Sequence, residues 1–230
     1  MTSTEFLSPL ELDFLWESID AGEPPYPLEI RSHGGTLDER GALRRQVLGE
    51  LPAGGRVEDW LSVLARADRS IDAVFQAEPG GTATSAIAAA HGNRALLATQ
   101  NDEGLWLRPI DPGSLASSVV DLLPAARRGA EPSITVPADE LAAGGRTHAD
   151  RQVLASLAKQ RNHRAGQLAV NARHPMGGRT RSPVLSWFDT DSGRYLTYTK
   201  QGWVTIAPAD PPTLRHRLTE LLAAVTDHRP

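Results

Sequence analysis

The sequence predicts an α+β protein in which helices pack on a mostly antiparallel sheet. Three observations carry this expectation. Two stretches, from Ser70 to Ile110 and from Ala165 to Pro208, follow strand-like patterns and are broken by turn residues such as Asn101-Asp102-Glu103-Gly104. Segments near the N-terminus and after each stretch place apolar residues at helical spacing. The second stretch also repeats features of the first in the same order.

The first element is a helix from about Pro9 to Ser18. Ser8 is a helix cap, Pro9 occupies the first helical position and Glu11 completes a capping box before the apolar residues Leu10, Phe14, Leu15 and Ile19. In GEPPYPLEI, Gly22 to Ile30, three prolines fix φ and remove backbone donors, so this segment is extended chain or a sheet edge. Thr36 and Glu39 form a second capping box, opening a helix that Pro52 closes. A third helix, from about 57 to 67, puts Val57, Leu61 and Leu64 on one stripe.

SIDAVFQ, ATSAIAAAHG, NRALLATQ and GLWLRPI then read as an antiparallel meander. DPGSLASSVVDLLP follows as a helix, with Asp111 as cap and Pro112 at the first position. Beyond a Gly/Ala/Arg-rich stretch come the short run SITVP and helix candidates at Pro137 to Ala143 and Ala149 to Lys159. The strand pattern returns in GQLAVNAR, SPVLSWFD, RYLTYTK and GWVTIAP, before a last helix from Pro211 to about Val225.

Arg94 and Leu96 match Arg194 and Leu196, and Gly104-Leu105-Trp106 answers Gly202-Trp203-Val204 one residue out of step. Asp111-Pro112 then matches Asp210-Pro211, and Leu115, Val119, Leu122 and Leu123 match Leu214, Leu218, Leu221 and Leu222. The expectation is a single domain over residues 1–230 with a quasi-two-fold internal repeat, its halves being about 1–125 and 126–230. Segments 93–110 and 194–208 should each form a hairpin leading into a helix, with Leu218 and Leu221 on a buried stripe.

With 230 residues, 40% hydrophobic and 23% charged, the composition is that of an ordinary globular protein with a packed core. Absence of cysteine excludes disulfides, thiolate nucleophiles and Cys-ligated zinc. The N-terminal MTSTEFLSPLELDFLW has acids inside its first apolar stretch and no basic region before it, unlike a signal peptide. No window approaches the roughly 20 apolar residues of a membrane span, so the expected location is the cytosol, without membrane insertion. A net charge of -4 with scattered basic residues argues against nucleic-acid binding.

The search for chemistry is negative. HGGT at His33 to Thr36 has the look of an esterase oxyanion loop, yet no GxSxG elbow accompanies it. DTDSG at Asp189 to Gly193 opens like a calcium loop, but its twelfth position is Lys200. Seven histidines never fall at ligand spacing, and neither a P-loop nor GxGxxG after a strand occurs. Arg146, Arg151, Lys159, Arg161 and Arg164 form a loose basic stretch, read as a solvated surface or a patch for an acidic partner. No catalytic residue, metal or cofactor is therefore expected. Trp187, Phe188 and Tyr195 read as core or cross-strand aromatics that become binding anchors if exposed.

Glu23 to Leu28 (E-x-P-Y-P-L), Ser32-His33-Gly34, and Asp189 through Tyr195 followed by Gly202-Trp203-Val204 are the most specific parts of a resemblance covering nearly the whole chain. By these motifs the sequence resembles the EspG family. The resemblance implies a quasi-two-fold fold with a central sheet between two helical bundles. It also implies a cytosolic, non-enzymatic chaperone of type VII secretion that clasps the apolar tip of the PPE partner in a PE/PPE heterodimer. HRAGQ at His163 to Gln167 and residues 125–160 depart from the pattern, which bears on cognate specificity. The alternatives are a homodimeric scaffold that binds a second copy of itself, and a hydrolase built around His33.

Side-chain alternation divides the last strands into faces. Placing Leu196, Val204 and Ile206 under helices leaves Tyr195, Thr197, Thr199, Trp203 and Thr205 for an open, partner-binding face.

Overall fold

Apolar alternation and two-residue turns produce one sheet. In a computed structural model, which describes residues 4–50, 55–141, 147–174 and 177–227, the elements follow in the order β1 (Glu5–Leu7), α1 (Pro9–Ser18), α2 (Leu37–Glu50), α3 (Arg56–Ala65), β2 (Arg69–Gln76), β3 (Ala83–His91), β4 (Arg94–Asn101), β5 (Gly104–Ile110) and α4 (Leu115–Val120). The second half continues with β6 (Ile134–Pro137), α5 (His148–Ala158), β7 (Asn162–Arg173), β8 (Arg179–Arg181), β9 (Leu185–Thr190), β10 (Gly193–Lys200), β11 (Trp203–Pro208) and α6 (Pro211–Asp227).

The strand order is β1-β5-β4-β3-β2-β7-β9-β10-β11-β6, with β8 added beside β7. Every named pair is antiparallel, and the sheet's centre is the β2–β7 ladder, from Arg69 opposite Ala172 to Phe75 opposite Gly166. The α+β class is as expected. On either side of that ladder the strands occur in corresponding order, and hairpin β4–β5 leads into α4 as β10–β11 leads into α6.

The hairpin registers correct the sequence alignment of the halves. Asn101 pairs with Gly104 and Lys200 with Trp203, so each turn has two residues and corresponding positions stand 99 residues apart. That offset is the one relating Asp111 to Asp210 and Leu115 to Leu214. It equates Leu97, rather than Leu96, with Leu196. Leu97 and Leu196 share one hydrophobic cluster, whereas Leu96 belongs to the other.

Each face of the sheet has its own core. On one, α4 and α6 bury Leu115, Val119, Leu214 and Leu218 against Ile71, Ala73, Ala88, Leu97, Val170, Trp187 and Leu196. Leu218 is fully buried and Leu221 packs at the margin, as the helical stripe predicts. On the other face, α1 and α3 bury Leu12, Leu15, Trp16, Leu61 and Leu64 against Leu96, Ala98, Leu105 and Leu107. Burying a side chain such as Leu61 contributes about 1.5 to 3 kcal/mol.

Local signals explain the helix starts. The Ser8–Glu11 capping box forms as expected, with the Glu11 N–H donating to Ser8 Oγ. Thr36 Oγ1 accepts from the Glu39 N–H, while the Glu39 carboxylate takes the Gly35 N–H. Asp111 departs from expectation. Its carboxylate accepts the Gly113 N–H in a turn, which postpones α4 to Leu115, with Ser114 at the cap. The helix expected from Pro137 is a turn over residues 138–141, and its end at Ala143, like the stop at Pro52, lies outside the described residues.

Two strands escaped the sequence pattern. Three-residue β1 pairs its Phe6 with Trp106 at the sheet edge, and β8 extends the far end of β7. Both are too short to show a period.

Candidate binding face

The face covered by α1 and α3 in the first half is only partly covered in the second. Across β7, β9, β10 and β11, Gln167, Ser186, Thr197 and Ile206 stand side by side in register. Gln167 and Thr199 are exposed, while Ser186, Phe188, Thr197, Val204 and Ile206 are half-buried. The helix of this half, α5, has one buried residue, Val153.

This register divides the predicted binding residues between two faces. Thr197 lies opposite Ile206 and Thr199 opposite Val204, so Tyr195, Thr197 and Thr199 share a face with the two aliphatic residues. Trp203 and Thr205 lie opposite Lys200 and Tyr198, on the side of Leu196. The expected single set is therefore incorrect as a geometric unit. A two-residue turn makes directly opposed residues share a face, so Leu196 goes with Ala207, whereas hydrophobicity alone had grouped it with Val204 and Ile206.

Tyr195 is not an accessible anchor. It is 1% exposed and stacks on Phe188 at 5.6 Å, while its hydroxyl accepts the Glu131 N–H at 3.0 Å and bonds Ser192 Oγ at 2.7 Å. Gly129 crosses the ring so closely that a Cβ there would stand 2.4 Å from it. On the opposite face Trp203 is 44% exposed, and Thr205 Oγ1 lies 2.9 Å from Thr135 Oγ1.

At the end of β2 and β7 the half-open face runs into a cavity of about 470 Å³, lined by Phe75, Gln76, Gln167, Ser186, Trp187 and Phe188 among others. Sequence periodicity did not single out Gln167 or Ser186. Only cross-strand register, which a single strand's pattern does not contain, brings them beside Thr197.

The motifs tested for chemistry have structural roles. The His33 N–H donates to Asp13 Oδ2 at 2.7 Å and His33 Nδ1 lies 3.2 Å from the same oxygen. Arg40 grips both Asp13 oxygens at 3.0 Å and stacks on Phe14, so this cluster ties α1, the HGGT turn and α2 together. Burial pushes the Asp13 carboxyl up, but hydrogen bonds from Arg40 and His33 outweigh it and hold the group below the usual carboxylate range. Gly34 adopts φ +92, and a Cβ there would meet the Arg40 backbone at 2.8 Å, which explains a glycine at that point.

DTDSG is likewise accounted for. Buried Asp189 holds buried Arg194 through bonds of 2.7 and 2.9 Å, and Arg194 also donates to the Pro124 carbonyl and lies 4.4 Å from the Trp187 ring centre. Asp191 meets His163 Nε2 at 2.6 Å, a bond that holds its carboxyl below the usual range. Among the described residues no three His, Cys, Asp or Glu side chains gather in a metal-binding group. Arg164 lies 3.7 Å from Asp189, and Arg146 is outside the described residues.

A single antiparallel sheet with helices on both faces and a partly uncovered stretch lined by neutral side chains defines a helix-flanked α+β fold with a surface suited to binding. The chain belongs to the EspG family, whose sequence model matches residues 8–220. Its fold is similar to that of EspG5, a type VII secretion system chaperone of Mycobacterium tuberculosis solved in complex with a PE25–PPE41 dimer, at 16% identity and a TM-score of 0.72 over 97% of each chain. Among curated proteins none matches. No helix among the described residues is long and apolar enough to cross a membrane.

Proposed function

We propose that this protein is a cytosolic, non-enzymatic chaperone of type VII secretion. It binds the apolar tip of the PPE-type partner in a PE/PPE heterodimer, keeping it soluble and directing it to export. The chain is one EspG-like domain, with halves of about 1–125 and 126–230 derived from a duplicated unit. The half-open face of β7, β9, β10 and β11 carries the client. The observation behind this assignment is the row Gln167, Ser186, Thr197 and Ile206, flanked by Phe188, Thr199 and Val204.

Neutral hydroxyl and amide groups keep such a face soluble when free, while Val204, Ile206 and Phe188 supply apolar contact. Membership of the EspG family and the similar fold of EspG5, held with PE25–PPE41, support the partner class. Interface area does not set affinity, so a client that must later be released is compatible with a broad docking surface.

The test is co-purification of a PE/PPE-type pair with Thr199→Arg combined with Gln167→Arg, both at exposed positions. The double variant should melt within a degree or two of the parent, since surface changes stay within about 0.5 kcal/mol, yet lose the partner. Trp203→Ala, on the opposite face, should retain it. Retention by the double variant removes the client from this face.

A further inference from the structure

The basic stretch that precedes β7 becomes a corner of the fold at the β9–β10 turn. There the carboxylates are already engaged. Asp189 is held by Arg194 and Arg164, Asp191 by the His163 ring and the Arg161 main-chain N–H, and Asp210 by Arg128 and Thr213. Glu131 accepts the Ser156 hydroxyl. Arg127 is left with the Asp191 carbonyl, at 2.6 Å, and among the described residues the side chains of Lys159 and Arg161 form no hydrogen bond or ion pair. All three are exposed.

The turn itself does not call for these charges. The β3–β4 turn of the first half has the same two-residue build, His91 pairing with Arg94 as Thr190 pairs with Gly193. Asp59 and Asp68 there stand against Arg94, His91 and Arg69, so charge is close to balanced around a hairpin of the same kind. The cations of the β9–β10 corner stand instead beside the half-open face. Lys159 and Arg161 lead from α5 into β7, whose Asn162, Ala165 and Gln167 line the cavity of about 470 Å³. Arg127 precedes the Gly129 to Glu131 segment that covers Tyr195. A charged rim around a weakly polar centre is the arrangement of a protein interface, and guanidinium and ammonium groups pair naturally with carboxylates. A net charge of -4 makes the chain as a whole repel a polyanion, so this corner attracts acidic groups locally and in one orientation.

We infer that Arg127, Lys159 and Arg161 dock an acidic segment of the protein partner, adjoining the part seated on the half-open face, and so steer the partner on to that face. The inference rests on the chaperone reading above and adds the chemistry of the partner's flank. Charges at the rim of an interface act chiefly on the rate of association and on its salt dependence.

The experiment measures association and dissociation rates with a PE/PPE-type heterodimer from the protein's own organism, at low and at high salt. Lys159→Glu combined with Arg161→Glu reverses two charges and keeps the Arg161 main-chain bond. At low salt this variant should associate about tenfold more slowly than the parent, with most of the salt dependence gone and the dissociation rate and thermal midpoint kept. Arg66→Glu combined with Arg179→Glu makes the same change in net charge at exposed arginines near the opposite end of β7. That control should stay within about twofold of the parent. If the first variant does not fold, Lys159→Gln combined with Arg161→Gln takes its place, with an expected slowing of about threefold. A folded variant that associates as fast as the parent, or a control that slows equally, overturns this inference and leaves the chaperone function standing. So does binding of the parent, but not the variant, to vesicles of anionic phospholipid, which makes the corner a membrane contact. Failure of the unaltered protein to form any complex overturns the chaperone function and this inference together.

Discussion

Leu96, Ala98, Leu105 and Leu107 on hairpin β4–β5 occupy the register positions of Tyr195, Thr197, Val204 and Ile206 on β10–β11. The first four are fully buried beneath α1 and α3. Of the second four, Tyr195 alone is buried, under the Gly129 to Glu131 segment, while the others are half-buried. A common backbone frame thus ends in a closed core on one side and a partly open surface on the other. The difference comes from the chain that precedes each meander. The first half supplies Leu12, Leu15, Trp16, Leu61 and Leu64 as cover, whereas α5 buries Val153. Replacing Leu and Ala by Thr and β-branched residues keeps strand propensity while tolerating water.

The largest expected effect separates two arginines that resemble each other in sequence although the 99-residue register sets them one position apart. Arg194→Ala removes both hydrogen bonds to buried Asp189 and leaves Arg164, 3.7 Å away, as its cation, and should cost about 3 kcal/mol in chemical denaturation. Arg94 makes a 3.5 Å contact with Asp59 at the surface, so Arg94→Ala should cost at most about 1 kcal/mol. Equal losses would mean that the Arg194–Asp189 pair is not held in the core.

A second pair compares the covers directly. Leu107→Ala, beneath α1 and α3, should cost about 2 to 5 kcal/mol by transfer and cavity terms. Ile206→Ala at its register counterpart removes atoms that already touch solvent and should cost clearly less, under about 2 kcal/mol. Similar values would show the second face to be closed.

Acid should weaken the closed half. Asp13 titrates below its ordinary value in the folded state, so the stability it contributes is present above the unfolded value of about 3.9. It is lost as pH falls through the depressed folded value. Asp13→Asn should be less stable at neutral pH by about 1 to 3 kcal/mol and should lose less between pH 5 and 3 than the parent. Urea titrations at both pH values decide this, and parallel slopes would show that another carboxylate dominates.

How much of this was legible depended on where the determining interaction lay. Pro9–Ser18 was readable because its cap, first-turn proline and apolar spacing are all local. The strands of both meanders were readable because their turn residues punctuate them. Leu196 was assigned to the right core, but Thr197 and Val204 to opposite faces, since the decisive fact is the pairing of Lys200 with Trp203 across Gln201-Gly202. Arg194 illustrates the same limit. In sequence it resembles Arg94, and only the fold gives it Asp189 and the Pro124 carbonyl. The cavity at Trp187 gathers residues from β2, β3, β7 and β9, and no spacing within one segment encodes it.

The central ladder joins β2 to β7, strands separated by nearly half the chain. At the ribosome, where elongation adds about 5 to 20 residues each second, the hundred or so residues between them take roughly 5 to 20 s to appear. Throughout that interval the newborn β2 carries an unpaired edge beside Ile71, Ala73 and Phe75, a template for wrong pairing. Strands β3 to β5 can already shelter its other side. The middle of the finished sheet is thus the edge of the newborn chain that waits longest to be closed.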